Sequence, residues 1–245
     1  MPEVEKVNPY RDDTRSKDAQ VQSMFDAIAP AYDFMNRAMT FGLDRLWLRR
    51  LIGVARAARP AVVLDLATGT GDVALALARA LPDAEIRGLD LSEGMLEKAR
   101  EKAGRAGLSG RISFAQADCL DTGLPDGCAD MITIAYGVRN FADIAAGYRE
   151  MYRLLRPGGT LAVLELSRPV NAAVKPLYRL YTKTLIPAAG RLMSHDTRAY
   201  SYLPESIAAA PQRREMTDIL AGAGFADAAF RPMTFGVCTL YTARK

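Results

Sequence analysis

Apolar and polar positions change their rhythm three times along the chain. Residues 1 to 19 carry charges of both signs without an apolar period, which predicts a flexible, solvated arm. Between Asp18 and Gly53, Met24, Phe25, Ile28, Tyr32, Phe34, Met35, Met39, Phe41, Trp47 and Leu48 recur at roughly helical spacing. Such a stripe over 21–52 either packs as core or closes as a lid over a hydrophobic ligand, and the pattern alone leaves both open. From Ala61 short apolar runs alternate with helical stretches, as expected of a parallel sheet with helices on both faces. Strands are predicted at 61–67, 85–90, 111–117, 129–136 and 159–166, with helices at 72–81, 92–107 and 142–155. Arg156-Pro157-Gly158-Gly159 is a punctuated turn that stops the last of these helices. Residues 168–210 then break the alternation, an insertion with prolines at 169, 176, 187 and 204, and excursions of that length are usually functional. A helix at 211–223 and two strands at 225–232 and 235–243, close enough to pair antiparallel, complete an α/β fold of seven strands. Residues 20–245 read as one domain.

Composition narrows the class. With 245 residues and 49% hydrophobic side chains the chain can bury a sizeable core, which excludes a disordered tail. A net charge of +4 among 24% charged residues does not by itself imply nucleic acid, and no nucleic-acid partner is expected. Cys119, Cys128 and Cys238 form no short-spaced pair and His195 is the single histidine, so neither a zinc site nor a disulfide framework is expected. The N-terminus lacks an apolar signal stretch and nothing reaches the length of a membrane span, so a cytoplasmic protein is expected.

The chemistry concentrates in Val62-Val63-Leu64-Asp65-Leu66-Ala67-Thr68-Gly69-Thr70-Gly71-Asp72. A strand runs into a small-residue turn and then a helix, so a ligand can approach backbone at the carboxyl edge of the sheet. The spacing Gly69-x-Gly71-x-x-Ala74, with Asp90 some twenty residues on, fits a dinucleotide fingerprint or another adenosine cofactor. Charge separates the two. A pyrophosphate would face Asp65 and Asp72, whereas S-adenosyl-L-methionine carries an ammonium and a sulfonium that acidic neighbours favour. Asp118, after the third strand, adds an acceptor for an adenine amino group. Each carboxylate singly also suits an ordinary cap or strand end.

Several further segments carry a resemblance. Met24-Phe25-Asp26-Ala27-Ile28-Ala29-Pro30-Ala31-Tyr32-Asp33 with Asn36, Asp65 to Asp72, Gly137-Val138-Arg139-Asn140, Arg156 to Gly159, and Tyr202-Leu203-Pro204-Glu205-Ser206-Ile207 resemble the menaquinone and ubiquinone biosynthesis C-methyltransferases. These are seven-stranded, Rossmann-like enzymes dependent on S-adenosylmethionine. The resemblance implies methylation of a ring carbon on a polyprenylated quinol, most directly demethylmenaquinol, with the methoxybenzoquinol of ubiquinone synthesis or another small acceptor as alternatives. It carries cofactor contacts to Thr70, Asp90, Asp118 and Cys119, with Asp65, Gly69 and Gly71 lining the same turn. Where the family can carry a serine before Tyr136, this chain has Ala135.

Ring methylation needs a quinol whose hydroxyl is losing its proton, and a phenol of pKa near ~10 is mostly neutral at pH 7. Arg139 is the candidate for stabilising phenolate, with Asn140 orienting and Tyr32 shaping the aromatic pocket. His195 and Asp196 are weaker candidate bases. In the insertion Lys175, Arg179, Lys183, Arg191 and Arg198 alternate with Leu177, Tyr178, Leu180, Tyr181, Leu185, Ile186, Leu192 and Met193. That alternation suits peripheral membrane contact or a solvated face packed on the core. A homodimer is compatible with the sequence. A nucleotide-binding oxidoreductase and a non-catalytic cofactor-binding scaffold are the readings from other classes.

Overall fold

Seven strands lie in the order β3-β2-β1-β4-β5-β7-β6 in the computed structural model, which describes residues 2–10, 12–171, 173–185 and 198–245. The strands are β1 (Val62–Leu66), β2 (Glu85–Asp90), β3 (Ile112–Gln116), β4 (Ala129–Ala135), β5 (Leu155–Leu166), β6 (Ala226–Met233) and β7 (Cys238–Arg244). The first five are mutually parallel, and β7 runs antiparallel to both β5 and β6. The expected seven-stranded sheet with its last strand antiparallel is therefore present, with one difference. Arg156-Pro157-Gly158-Gly159 lies inside β5, as an irregularity between the Ala129–Leu155 and Met131–Thr160 pairs, rather than before it.

Alternation along the central strands feeds two cores. Leu64, Ile132, Leu161 and Val163 face one layer, closed by α6 (Ile144–Leu154) and α9 (Arg214–Gly222). Val63, Met131, Ala162 and Leu164 face the other, closed by α3 (Asp44–Ala58) and α4 (Asp72–Ala80). Period two in a sheet buried on both sides places successive apolar residues in opposite layers, which is why these strands read as continuous hydrophobic runs. On the same side, α5 (Glu93–Arg105) follows Ser92, whose hydroxyl caps it by accepting from Met95 N at 3.1 Å.

Two expectations are corrected by packing. The segment 21–52 is not one lid. Its first part forms α1 (Lys17–Ile28) and α2 (Tyr32–Met39), but its second is α3, where Trp47 and Leu51 are buried against the sheet. The Trp47 indole also donates to Thr234 Oγ1 at 2.8 Å, beyond β6. Residues 1–19, expected as a flexible arm, are docked over their described part. Val4, in a 3-10 turn over Glu3–Lys6, is fully buried, and Glu5 accepts from the Ile144 backbone N–H at 2.9 Å. Lys17 donates to the Val4 carbonyl at 2.6 Å, and burial pulls its ammonium down to about 8.

The insertion contributes α7 (Lys175–Leu180), a π turn over Tyr181–Leu185 and α8 (Arg198–Ala209). It packs against α1 and α2: the Tyr181 hydroxyl donates to the Met39 carbonyl, and Tyr202 is buried with Met24 and Met35. His195, Asp196, Arg191, Ile186, Leu192 and Met193 lie outside the described residues, as do the side chains of Arg179, Lys183, Leu185 and Arg198. Among the described residues no helix is long and apolar enough to cross a membrane.

Candidate active site

The carboxyl ends of β1, β2 and β4 and the turn after β3 open onto one crevice, covered from above by α1. Its walls include Gly69, Asp90, Asp118, Cys119, Tyr32 and Asn140, six of the sequence candidates, together with Phe25 and Asp18 from the lid. Asp90 is held by backbone: its Oδ2 accepts from Gly69 N at 2.7 Å and its Oδ1 from Ser92 N at 2.9 Å. Burial raises its pKa, against those N–H donors. Asp118 accepts from Leu120 N at 2.8 Å, which fixes the turn leaving β3. Burial pushes the Cys119 thiol far up, so it stays neutral and can only pack.

Small residues keep this crevice open. Gly69 adopts φ +55°, and a Cβ on Gly137 would come within 2.7 Å of the Ala67 Cβ. The donor set fits S-adenosylmethionine: three acidic side chains, small-residue backbone and an aromatic wall, with no cation lining the crevice among the described residues.

Three sequence candidates sit elsewhere. Asp65 is 1% exposed behind the turn, its two oxygens taken by the hydroxyls of Thr68 and Thr133, each at 2.6 Å. Burial raises it to about 6 despite those donors. Gly71, at φ +80°, serves packing, since a Cβ there would meet Ala99 at 3.0 Å and the Phe114 ring at 3.2 Å. Thr70 points to the lid, donating to Asp33 at 2.5 Å.

A second, larger cavity of about 460 Å³ lies beside the crevice, between α2, α3, the insertion and the ends of β4 and β5. Its lining is mostly apolar, with Met39, Trp47, Leu166, Leu177 and Tyr181 among its walls. The two spaces share Tyr32, Ala67, Gly69, Ala135 and Tyr136. Tyr136 takes φ +60°, a conformation rare for a bulky residue, and its carbonyl accepts from both Arg139 Nη1 and Asn140 Nδ2.

Arg139 is the charged group on this cavity's inner wall that sequence reading singled out. It is 6% exposed, and its Nη1 donates to Glu165 Oε1 at 2.8 Å. Its Nε is buried without a hydrogen-bond partner among the protein atoms. Burial works against the charge, but Glu165 outweighs it and the guanidinium stays ionised. Asn140 is oriented by Tyr202, whose hydroxyl donates to Asn140 Oδ1 at 3.1 Å. Glu165 escaped the sequence reading. Its signal was available: a lone acid between Leu164 and Leu166 in a buried strand requires a cationic partner.

Comparison with known proteins agrees with the fold. The model of the ubiE/COQ5 methyltransferase family matches residues 13–245, and the chain belongs to that family. A demethylmenaquinone methyltransferase of Bacteroides fragilis is 46% identical over 98% of this chain and 98% of its own. A ubiquinone/menaquinone biosynthesis C-methyltransferase of Geobacter sulfurreducens is 42% identical over 98% of this chain and 93% of its own. Among solved structures, an S-adenosylmethionine-dependent methyltransferase from Aquifex aeolicus superposes with a TM-score of 0.55. It is 19% identical and covers 75% of this chain and 81% of its own, a likeness of fold.

Proposed function

We propose that the chain methylates a ring carbon of a polyprenylated quinol, with demethylmenaquinol as the first substrate to test. The observation that carries this reading is the unpartnered Arg139 Nε at the wall of an apolar cavity that shares a boundary with the acidic crevice. A buried donor without a partner costs about 1–3 kcal/mol, which an anionic substrate oxygen would return.

Bound S-adenosylmethionine supplies an electrophilic methyl group. Asp90 and Asp118 hold its adenosine half, with Gly69 allowing close approach of backbone. On the other side Arg139 would lower the free energy of the phenolate left when the hydroxyl proton passes to water; the ring carbon then takes the methyl as the sulfur–methyl bond breaks, and the hydrogen it carried leaves as a proton when the aromatic phenol re-forms. Glu165 keeps the guanidinium aimed and Tyr202 keeps Asn140 oriented. Tyr32 and Tyr136, at the shared boundary, hold the ring and keep water from two opposite charges that cancel as the bond forms.

The polyprenyl tail explains the outer half of the cavity. Phe41, Leu177, Leu180 and Phe235 line it and are each more than half exposed. A rim of that character suits a lipid surface, since the tail could then pass from bilayer to cavity without crossing water.

Relatives named for both quinone pathways make two substrates the natural comparison. Purified protein given methyl-labelled S-adenosylmethionine and either reduced substrate should yield a ring-methylated product, identified by mass spectrometry. Cofactor binding with no methyl on either ring would overturn the substrate reading.

A further inference from the structure

The lid leaves little room beneath it. The acidic crevice encloses about 80 Å³, well below the roughly 300 Å³ of a small-molecule site. A nucleoside seated at Asp90 and Asp118 needs more room than that, which α1 and α2 would supply by rising from α5. Two sets of polar contacts hold them down. Near the start of α5, Asp26 Oδ1 accepts from Ser92 Oγ at 2.5 Å and from Gly94 N at 3.2 Å. The approach there is close, for a Cβ on Gly94 would lie 3.1 Å from that oxygen.

Toward the other end of α5, Lys102 reaches across to the lid. Its ammonium donates to Asp33 Oδ2 at 2.6 Å, to Thr70 Oγ1 at 3.0 Å and to Asp72 Oδ1. Thr70 in turn donates to Asp33 Oδ1 at 2.5 Å. One lysine, 20% exposed, thus joins α2 to Thr70 and Asp72 of the glycine turn. Tyr32, next to Asp33, lies in the walls of both the crevice and the large cavity, so whatever fixes Asp33 also places Tyr32.

We propose that Lys102 is a positioning residue for methyl transfer: by bridging Asp33 to Thr70 and Asp72 it latches the lid over bound cofactor and limits how fast spent cofactor leaves. The inference rests on the reading of the crevice as the cofactor site. It separates two duties within one ammonium. The bond to Asp72 ties α5 to α4 and is ordinary packing support, whereas the bond to Asp33 ties down an element that must move.

Release of radiolabelled S-adenosylhomocysteine, followed by chase with unlabelled ligand, tests it in wild type, Lys102→Met, Lys102→Arg, Asp33→Asn and Asp72→Asn. Partly exposed ion pairs hold by modest factors, so Lys102→Met and Asp33→Asn should quicken release about threefold to tenfold. Lys102→Arg should restore most of the wild-type rate, and Asp72→Asn should move it least. Raising salt should hasten release from wild type and leave Lys102→Met unaffected, because screening weakens a pair only where one exists. If wild type does not bind the ligand, the cofactor reading fails. If it binds and the Lys102→Met and Asp33→Asn rates equal wild type, or if Asp72→Asn alone moves the rate, the latch is refuted while the cofactor reading stands. Should Lys102→Met not fold, Asp33→Asn and the salt series decide by the same criteria.

Discussion

Replacing both members of the Arg139–Glu165 pair by methionine should leave the protein about as stable as wild type and without turnover. The two side chains are 7% and 2% exposed, so each depends on the other for its charge. Glu165→Met removes the acceptor of Arg139 N at 3.2 Å, Arg139 Nη1 at 2.8 Å and Leu166 N at 2.8 Å. The guanidinium cannot shed its proton, so this variant should lose about 3–5 kcal/mol, a large part of a typical stability of about 5–15 kcal/mol. Arg139→Met is milder. Glu165 keeps two backbone donors, so roughly 2–3 kcal/mol is expected. The double variant removes both charges and fills the space with flexible apolar chains, for which near-neutral outcomes are typical. Urea unfolding of the four proteins gives a coupling energy, expected at about 3 kcal/mol or more, and turnover is measured on the same samples. Coupling below about 0.5 kcal/mol would refute the pairing. A double variant that still methylates quinol would refute the role of Arg139.

Three other outcomes follow from the same structure. Asp65 is raised from 3.8 to about 6, so the native state takes up its proton first, and stability should fall as pH rises from about 4 to about 6. The loss is at most about 3 kcal/mol; Asp65→Asn should be the more stable protein at pH 8 and lose its advantage near pH 3.5, and parallel pH–stability curves would contradict this. Gly137→Ala places a methyl 2.7 Å from the Ala67 Cβ on the crevice floor, so it should cost about 1–3 kcal/mol in thermal unfolding and weaken cofactor binding in calorimetry, an unchanged affinity counting against the floor assignment. Phe41→Ser with Phe235→Ser should abolish flotation with phospholipid vesicles while sparing cofactor affinity, whereas loss of a concentration-dependent dimer in place of flotation would assign the rim to a second copy.

The central sheet was legible because it is buried on both faces: runs such as Val62 to Leu66 admit few other interpretations. Asp90 and Asp118 were legible together because topology brings successive strand ends to one edge. What the pattern could not express were partners distant in sequence. Val4 sits in a turn too short to have a period, and Glu5 meets Ile144 from 139 positions away. The helical stripe of 21–52 continued into α3 without a break in texture, yet Trp47 packs in the core and Tyr32 lies in the crevice wall, since periodicity reports an apolar face and not what covers it. Asp65 and Thr70 belong to the right motif, but their side chains were already engaged, Asp65 by two hydroxyls and Thr70 by the lid.

The placement of one cation is what makes the chemistry intelligible. Acids line both spaces, Asp18, Asp90 and Asp118 the crevice and Asp33, Asp44 and Asp72 the larger cavity, but of the two only the larger cavity has the Arg139 guanidinium in its wall. A cationic donor would be favoured in the crevice and an anionic oxygen beside Arg139. At the boundary the side chains are small or aromatic and carry no charge, so opposite charges could approach there with little water between them. Folding bears a cost here: Arg139 Nε is left without a partner in the wall of the larger cavity, and Tyr136 is held at positive φ at the boundary of the two spaces. Local strain and an unmet hydrogen bond are what a site aimed at a ligand oxygen requires, because a donor already satisfied by the protein would have nothing left to offer the phenolate.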